Sequence, residues 1–116
     1  MKRLHRFLII KLSDDGTHAE LEHFGARTAT FADFKSLMPT DQPRIAVYDL
    51  EFEKDTRHES KLLFIMYSPD NCKNMQLRFT YSTNKDPIKQ KVSPVHKELQ
   101  INDTADLNEA EWISDF

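Results

Sequence analysis

An uninterrupted apolar run in the middle of the chain constrains its fold more than any other feature. Residues 62–67 read Leu-Leu-Phe-Ile-Met-Tyr and end in the turn signal Ser68-Pro69-Asp70. A short apolar run bounded by turn residues is typical of a strand buried on both faces of a sheet. Residues 84–92 follow and predict a short basic helix. A buried strand followed by a cationic helix start favours a binding surface over a catalytic pocket.

A hairpin is predicted near the beginning of the chain. Residues 6–12 are apolar on both alternations, which fits a central strand covered on both faces. Asp15-Gly16 is a strong hairpin dipeptide. Residues 18–24 carry Glu20 and Glu22 and fit a half-exposed partner strand.

Two helices carry clear start or stop signals. Thr30 and Asp33 form a variant of the capping box in front of an apolar helix face, and Pro39 ends that helix. A short terminal helix is predicted over residues 107–113, beginning near Asn108.

The basic helix is expected to be short. Residues 78–81 are rich in β-branched and aromatic side chains and predict an extended segment. Thr83 or Asn84 then caps the helix, and Pro87 is tolerated in its first turn, where amide hydrogens lack partners. Ser93-Pro94 ends it.

The remaining segments complete an α/β pattern. Strands are predicted over residues 44–52, 61–67 and 95–101, with residues 53–60 as a charged connection. The 116 residues fit one domain. Strands interspersed with helices favour an α/β fold in which helices pack on one mixed sheet.

Composition excludes several classes of protein. A net charge of −3 argues against a nucleic-acid reader. The lone Cys72 excludes an internal disulfide. Cys72 and the five scattered histidines do not have the spacing of a zinc site. No histidine is placed to act as a base for the Cys72 thiol. Two glycines nearly exclude a Gly-rich phosphate loop. No stretch approaches a membrane span. We therefore expect a non-enzymatic, cytoplasmic monomer without a metal or cofactor.

Lys85 and Lys89 are the most suggestive charges. They lie four residues apart on one helix face, where like charges cost roughly 0.2–0.5 kcal/mol. An acidic partner would offset this cost. A solvated basic face remains the alternative interpretation.

Four segments carry motifs of a known family. Residues 44–52 read Arg-Ile-Ala-Val-Tyr-Asp-Leu-Glu-Phe, and residues 7–12, 31–34 and 98–100 add further matches. These motifs resemble those of the ADF/cofilin (actin-depolymerising factor) family. The resemblance implies a single ADF-homology domain over residues 1–116, α/β in class, with a central mixed β-sheet flanked by helices on both faces. It also implies a protein of the actin cytoskeleton that binds actin monomers and filaments and promotes filament depolymerisation.

The resemblance further implies which residues contact partners. Actin contacts are expected at Gln76, Arg78, Asn84, Lys85 and Lys89. Filament-side contacts are expected at Arg57, His58 and Lys61. Phosphoinositides, which would compete with actin, are expected at Lys73, Arg78, Lys85 and Lys89.

The chain also departs from the family pattern. Glu59 reverses a charge among the filament-side cations, and Gln76 replaces a lysine, so filament-side binding is expected to be weaker than monomer binding. The family's N-terminal helix and its regulatory serine have no counterpart before residue 6. Phe7 and Ile9, or their opposite-face neighbours, are therefore expected to lose cover. An ADF-homology adaptor or phosphoinositide-binding module without depolymerising activity is the alternative function.

Overall fold

A five-stranded mixed sheet forms the centre of the protein. The computed structural model describes residues 5–92 and 94–116. The strand order is β2-β1-β3-β4-β5, antiparallel except for the parallel pair β4 and β5. The strands are β1 (Phe7–Leu12), β2 (Ala19–Gly25), β3 (Arg44–Lys54), β4 (Arg57–Tyr67) and β5 (Lys97–Ile101). The helices are α1 (Phe31–Leu37), α2 (Met75–Val92) and α3 (Glu109–Ser114), with a 3₁₀ turn at Thr104–Asp106.

Helices cover both faces of the sheet, as predicted. On one face, α1 and α3 supply Phe34 and Trp112, which pack on β3 around Tyr48. On the other face, α2 supplies Tyr81 and Val92 to a second apolar cluster. β3 and β4 lie in the middle of the sheet and carry side chains into both clusters, which explains the unbroken apolar runs at residues 45–48 and 62–67.

The predicted caps of α1 and α3 are confirmed. The Thr30 hydroxyl accepts from the Asp33 amide, and the Asp33 carboxylate accepts from the Thr30 amide, which completes a capping box. The Asn108 side chain accepts from the amides of Ala110 and Glu111. Each cap satisfies amide groups that have no partner inside the helix.

Residues 5–92 and 94–116 leave the α2 side of β1 and β2 partly uncovered. Phe7 and Ile9 are buried, whereas Leu8 and Ile10 on the opposite side of β1 are only half-buried. Of the two sides of β1 named in that expectation, the side of Leu8 and Ile10 is the less covered one among the described residues. Phe24, the cross-strand partner of Leu8, is also largely exposed.

The charged segment 53–60 is not a connection, and its prediction as one is wrong. β3 and β4 pair until Lys54 faces Arg57, and a two-residue turn joins them. Asp55 and Thr56 adopt φ values of 53° and 67°, the left-handed conformation that such turns require. The end of the hairpin is exposed, so its strands carry charged side chains and lack the apolar alternation by which strands are predicted.

Helix α2 is about twice as long as predicted. It begins at Met75, with the Asn74 side chain accepting from the Leu77 amide, and it includes residues 78–81. The extended segment and the cap at Thr83 or Asn84 are therefore wrong. Pro87 lies inside the helix. Because proline has no amide hydrogen, the Thr83 carbonyl loses its usual donor there.

Candidate binding surface on helix α2 and strand β5

The first turns of α2 expose two large apolar side chains. Met75 is 68% exposed and Phe79 is 62% exposed. They lie four residues apart and therefore share one helix face. Beside them a groove of about 300 Å³ runs between α2 and the end of the sheet. Its lining residues are Met66, Ser68, Met75, Arg78, Phe79, Ser82, Gln100 and Asn102.

Sequence reasoning did not identify Met75 and Phe79 as an exposed apolar pair. Met75 was not identified as a candidate, and Phe79 fell in a segment predicted to be extended. The i, i+4 spacing of two large apolar residues was the available signal, but it has meaning only once residues 75–79 are known to be helical.

Arg78 is held on the wall of the groove. Its Nε donates to the Ser68 Oγ at 3.0 Å, and its guanidinium lies 3.5 Å from the Asp70 carboxylate. The Asn102 side chain donates to the Ser68 carbonyl at 2.9 Å and closes the turn after β4. The turn signal Ser68-Pro69-Asp70 therefore positions a cation of α2, and the side chain remains about one-quarter exposed.

Lys85 and Lys89 already have an acidic neighbour within the chain. This neighbour is Glu98 on β5. Its Oε2 is 3.8 Å from the Lys85 Nζ, and its Oε1 is 3.6 Å from the Lys89 Nζ. The side chains of all three remain about one-quarter to one-third exposed. The repulsion between the lysines is therefore partly offset inside the protein, so an external acidic partner is not needed to offset it.

Asn84 has a structural role that differs from the predicted cap. Its Nδ2 donates to the Thr80 carbonyl one turn earlier at 2.8 Å. Gly16, with φ +75°, packs so closely that a Cβ there would lie 2.8 Å from the Asn84 Nδ2. The half-buried Asn84 thus supports the β1–β2 turn, whereas Gln76 and Lys73 at the start of α2 are exposed.

The predicted filament-side residues lie on a separate surface. Arg57 and His58 are exposed at the start of β4, about 30 Å from its end by strand geometry. Arg57 pairs with Glu59 at 3.7 Å, and the His58 Nε2 lies 3.1 Å from Glu51. Lys61 lies over the ring of Phe116, 5.9 Å from its centroid.

The sheet connects the α2 surface to the β4 surface, and its central strand β3 carries a buried polar network. Asp49 is buried, accepts from the Ser60 hydroxyl at 2.5 Å and pairs with Arg27 at 3.0 Å. The Tyr48 hydroxyl donates to Glu109 of α3 at 2.6 Å. Burial and this carboxylate raise the pKa of Tyr48, so the phenol stays neutral.

Three side chains of β4 and α2 lie in the core. Met66, Tyr67 and Tyr81 are buried. The Tyr81 hydroxyl accepts from a backbone amide, as expected of a buried tyrosine.

In the parts of the chain that the structure describes, no group of three or more His, Cys, Asp or Glu side chains could hold a metal ion. No helix of the described residues is long and apolar enough to cross a membrane.

The fold and this surface define a protein-binding module that presents one long helix and a hairpin. A family model described as cofilin/tropomyosin-type actin-binding protein matches residues 1–116, and the chain belongs to this family. Actophorin of Acanthamoeba castellanii is 34% identical over 105 residues, which cover 90% of this chain and 75% of the relative. Actin-depolymerizing factor 8 of Arabidopsis thaliana is 32% identical, and the match covers 92% of this chain and 76% of the relative.

Solved structures support the same assignment. The cofilin of Streptomyces griseoflavus superposes with a TM-score of 0.86 at 25% identity, covering 97% of this chain and 82% of that one. Human coactosin-like protein superposes with a TM-score of 0.76 at 21% identity, and the match covers 97% of this chain and 73% of that one. At this identity the likeness shows the fold alone. The resemblance seen in residues 7–12, 31–34, 44–52 and 98–100 is therefore confirmed at the level of family and fold.

Proposed function

We propose that this protein binds actin monomers and filaments and promotes filament depolymerisation in the cytoplasm. The observation that carries the proposal is the exposure of Met75 and Phe79 beside the anchored guanidinium of Arg78. Clustered exposed apolar side chains mark a protein interface, and large apolar or aromatic side chains and arginine are common anchors in such interfaces.

The arrangement suits an apolar cleft with an acidic rim on the partner. Met75 and Phe79 would enter the cleft, while Arg78, Lys85 and Lys89 face acidic groups around it, with Gln76 and Asn84 adding polar contacts. No covalent chemistry is required. Binding that favours one filament conformation over another shifts the population towards it, and preferential binding of monomers removes them from the filament equilibrium.

The hairpin at the start of β4 would supply the filament-side contacts. Arg57 and His58 have acidic neighbours in Glu59 and Glu51, which lowers the positive potential that the hairpin offers to an acidic filament. We therefore propose stronger binding to monomers, through α2, than to filament sides.

A phosphoinositide-binding adaptor without depolymerising activity is the second candidate. The exposed Lys73 precedes α2, and Arg78, Lys85 and Lys89 lie along the helix. Their spacing forms a basic strip that fits an anionic membrane surface. This strip is weakened by Asp70 and Glu98, which lie beside three of its four cations.

Co-sedimentation with filamentous actin tests the proposal. The wild-type chain should increase the actin in the supernatant with dose. Replacing both Met75 and Phe79 by serine should weaken binding at least about tenfold, because the loss of an interface anchor costs roughly 2 kcal/mol. Leu21→Ser is the matched control, since Leu21 is a 51% exposed apolar residue on β2, away from α2's first turns.

Each result of this experiment has a defined meaning. If the folded wild-type chain neither pellets with actin nor releases monomers, the proposal is wrong, and binding to phosphoinositide vesicles would then favour the adaptor. If the double variant and the Leu21 variant lose the same amount of binding, the first turns of α2 are not the contact surface.

A further inference from the structure

Glu98 on β5 lies between the two ammonium groups of Lys85 and Lys89. Its two carboxylate oxygens each face one ammonium group, 3.8 Å from Lys85 and 3.6 Å from Lys89. A phosphate group bound between two lysines would need this bridging position. Both distances are longer than a direct hydrogen bond, so the contact is an ion pair that water or a stronger anion can disrupt.

Glu98 also changes the net charge of the surface. Lys85 and Lys89 together carry two positive charges, and Glu98 reduces the net charge of the three side chains to one. The three side chains are partly exposed, so the pairing adds little to stability. Its main consequence is for ligands that approach the two ammonium groups.

We propose that Glu98 is a specificity-determining residue that weakens binding of multiply charged phosphate groups to α2 relative to binding of actin. This inference rests on the proposed function. A compact phosphate group depends on Lys85 and Lys89 together and must displace Glu98. An actin-sized partner also uses Met75, Phe79 and Arg78, which Glu98 does not pair with, so a smaller share of its affinity depends on the lysines.

The test compares Glu98→Gln with a matched loss of charge elsewhere. Glu111→Gln on α3 removes the same charge from an exposed position outside α2 and β5. Binding is measured to phosphatidylcholine vesicles with and without phosphatidylinositol 4,5-bisphosphate, to soluble inositol 1,4,5-trisphosphate and to actin, each at two salt concentrations.

We expect Glu98→Gln to increase affinity for the phosphoinositide vesicles about fivefold at low salt, the size of one unscreened contact between unit charges in water. The gain should shrink at high salt, which a purely structural effect would not do. The ratio of vesicle affinity to actin affinity should rise, and adding Lys85→Gln and Lys89→Gln should abolish the gain.

The two ligand sources give different patterns. A gain with vesicles and the soluble trisphosphate assigns the effect to the phosphate groups themselves, and a gain with vesicles alone assigns it to phosphates at a membrane surface. The proposal is overturned if Glu98→Gln binds vesicles no better than Glu111→Gln, or if actin affinity rises by the same factor. A wild-type chain that fails to bind actin would defeat the proposed function, while the vesicle comparison would still decide the role of Glu98.

Discussion

The hydroxyl of Tyr81 accepts a hydrogen bond from the Leu12 backbone amide at 2.9 Å and so connects the middle of α2 to the end of β1. Tyr67, on the opposite face of the sheet, is equally buried, but its hydroxyl has no hydrogen-bond partner among the described residues. The two tyrosines therefore form a natural pair for measuring what one buried hydrogen bond contributes.

Tyr81→Phe should lower the free energy of unfolding by about 1–3 kcal/mol, because the buried Leu12 amide loses its acceptor. Tyr67→Phe should be neutral or slightly stabilising, because it removes a buried hydroxyl whose desolvation is not compensated by a hydrogen bond. Urea unfolding followed by circular dichroism measures both variants. Equal losses in the two would show that the Leu12 contact does not stabilise the fold.

The pH dependence of stability provides a second prediction. Burial, together with the carboxylates of Asp103 and Asp41, raises the pKa of Tyr67 to about 12 from its ordinary value of 10.0. The folded state therefore holds this proton more tightly than the unfolded state. The contribution of Tyr67 to the free energy of unfolding is fully present below pH 10 and is lost as the pH rises towards about 12.

Wild-type protein should accordingly lose stability as the pH rises from 10.0 towards about 12, and part of that loss should be absent in Tyr67→Phe. Urea midpoints at several alkaline pH values give the comparison. Tyr48 and Tyr81 also have raised pKa values. The stability of Tyr67→Phe should therefore still decrease with rising pH, but less steeply than that of the wild type. An identical slope in both proteins would contradict the assignment to Tyr67.

The β3–β4 turn contains a strained residue that can be relieved. Thr56 is β-branched and has φ 67°, in a region that favours glycine. Thr56→Gly should raise the free energy of unfolding by about 1 kcal/mol because the strain exceeds the extra flexibility of the unfolded chain. Thermal unfolding measures the change. Thr40→Gly, at an exposed threonine without a positive φ, should be neutral or destabilising, and a similar gain there would rule out strain as the cause.

The anchored guanidinium of Arg78 gives a prediction about binding. Arg78→Lys keeps the charge but loses the planar donor set that contacts Ser68 and Asp70. Actin affinity should fall about threefold to tenfold, the range of one interface contact of roughly 1 kcal/mol. Lys91→Arg, an exposed cation in the last turn of α2, is the reverse exchange and should have little effect. Unchanged binding by Arg78→Lys would mean that charge alone matters at this position.

Local sequence signals predicted the parts of the fold that local chemistry controls. The capping box at Thr30 and the Asn108 cap are formed by side chains within three residues of the amides they satisfy, so spacing alone reveals them. The apolar strands were also recognisable, because β1, β3 and β4 serve two apolar clusters at once.

The start of α2 could not be read in the same way. Residues 78–81 have the composition of a strand, and Pro87 usually ends or kinks a helix. They are helical here because Tyr81 is buried against the sheet and bonded to Leu12. Such a contact joins residues 69 positions apart, which no local pattern encodes.

The family, the α/β class, the apolar strands and the placement of Lys85 and Lys89 on one helix face could all be predicted from the amino-acid sequence. The exposure of Met75 and Phe79 beside Arg78, and the pairing of Glu98 with Lys85 and Lys89, became visible only in the folded protein. Side-chain exposure and charge pairing depend on which strand lies beside which helix. β5 comes next to α2 through the parallel pairing of β4 with β5, a long-range arrangement that spacing along the chain does not specify.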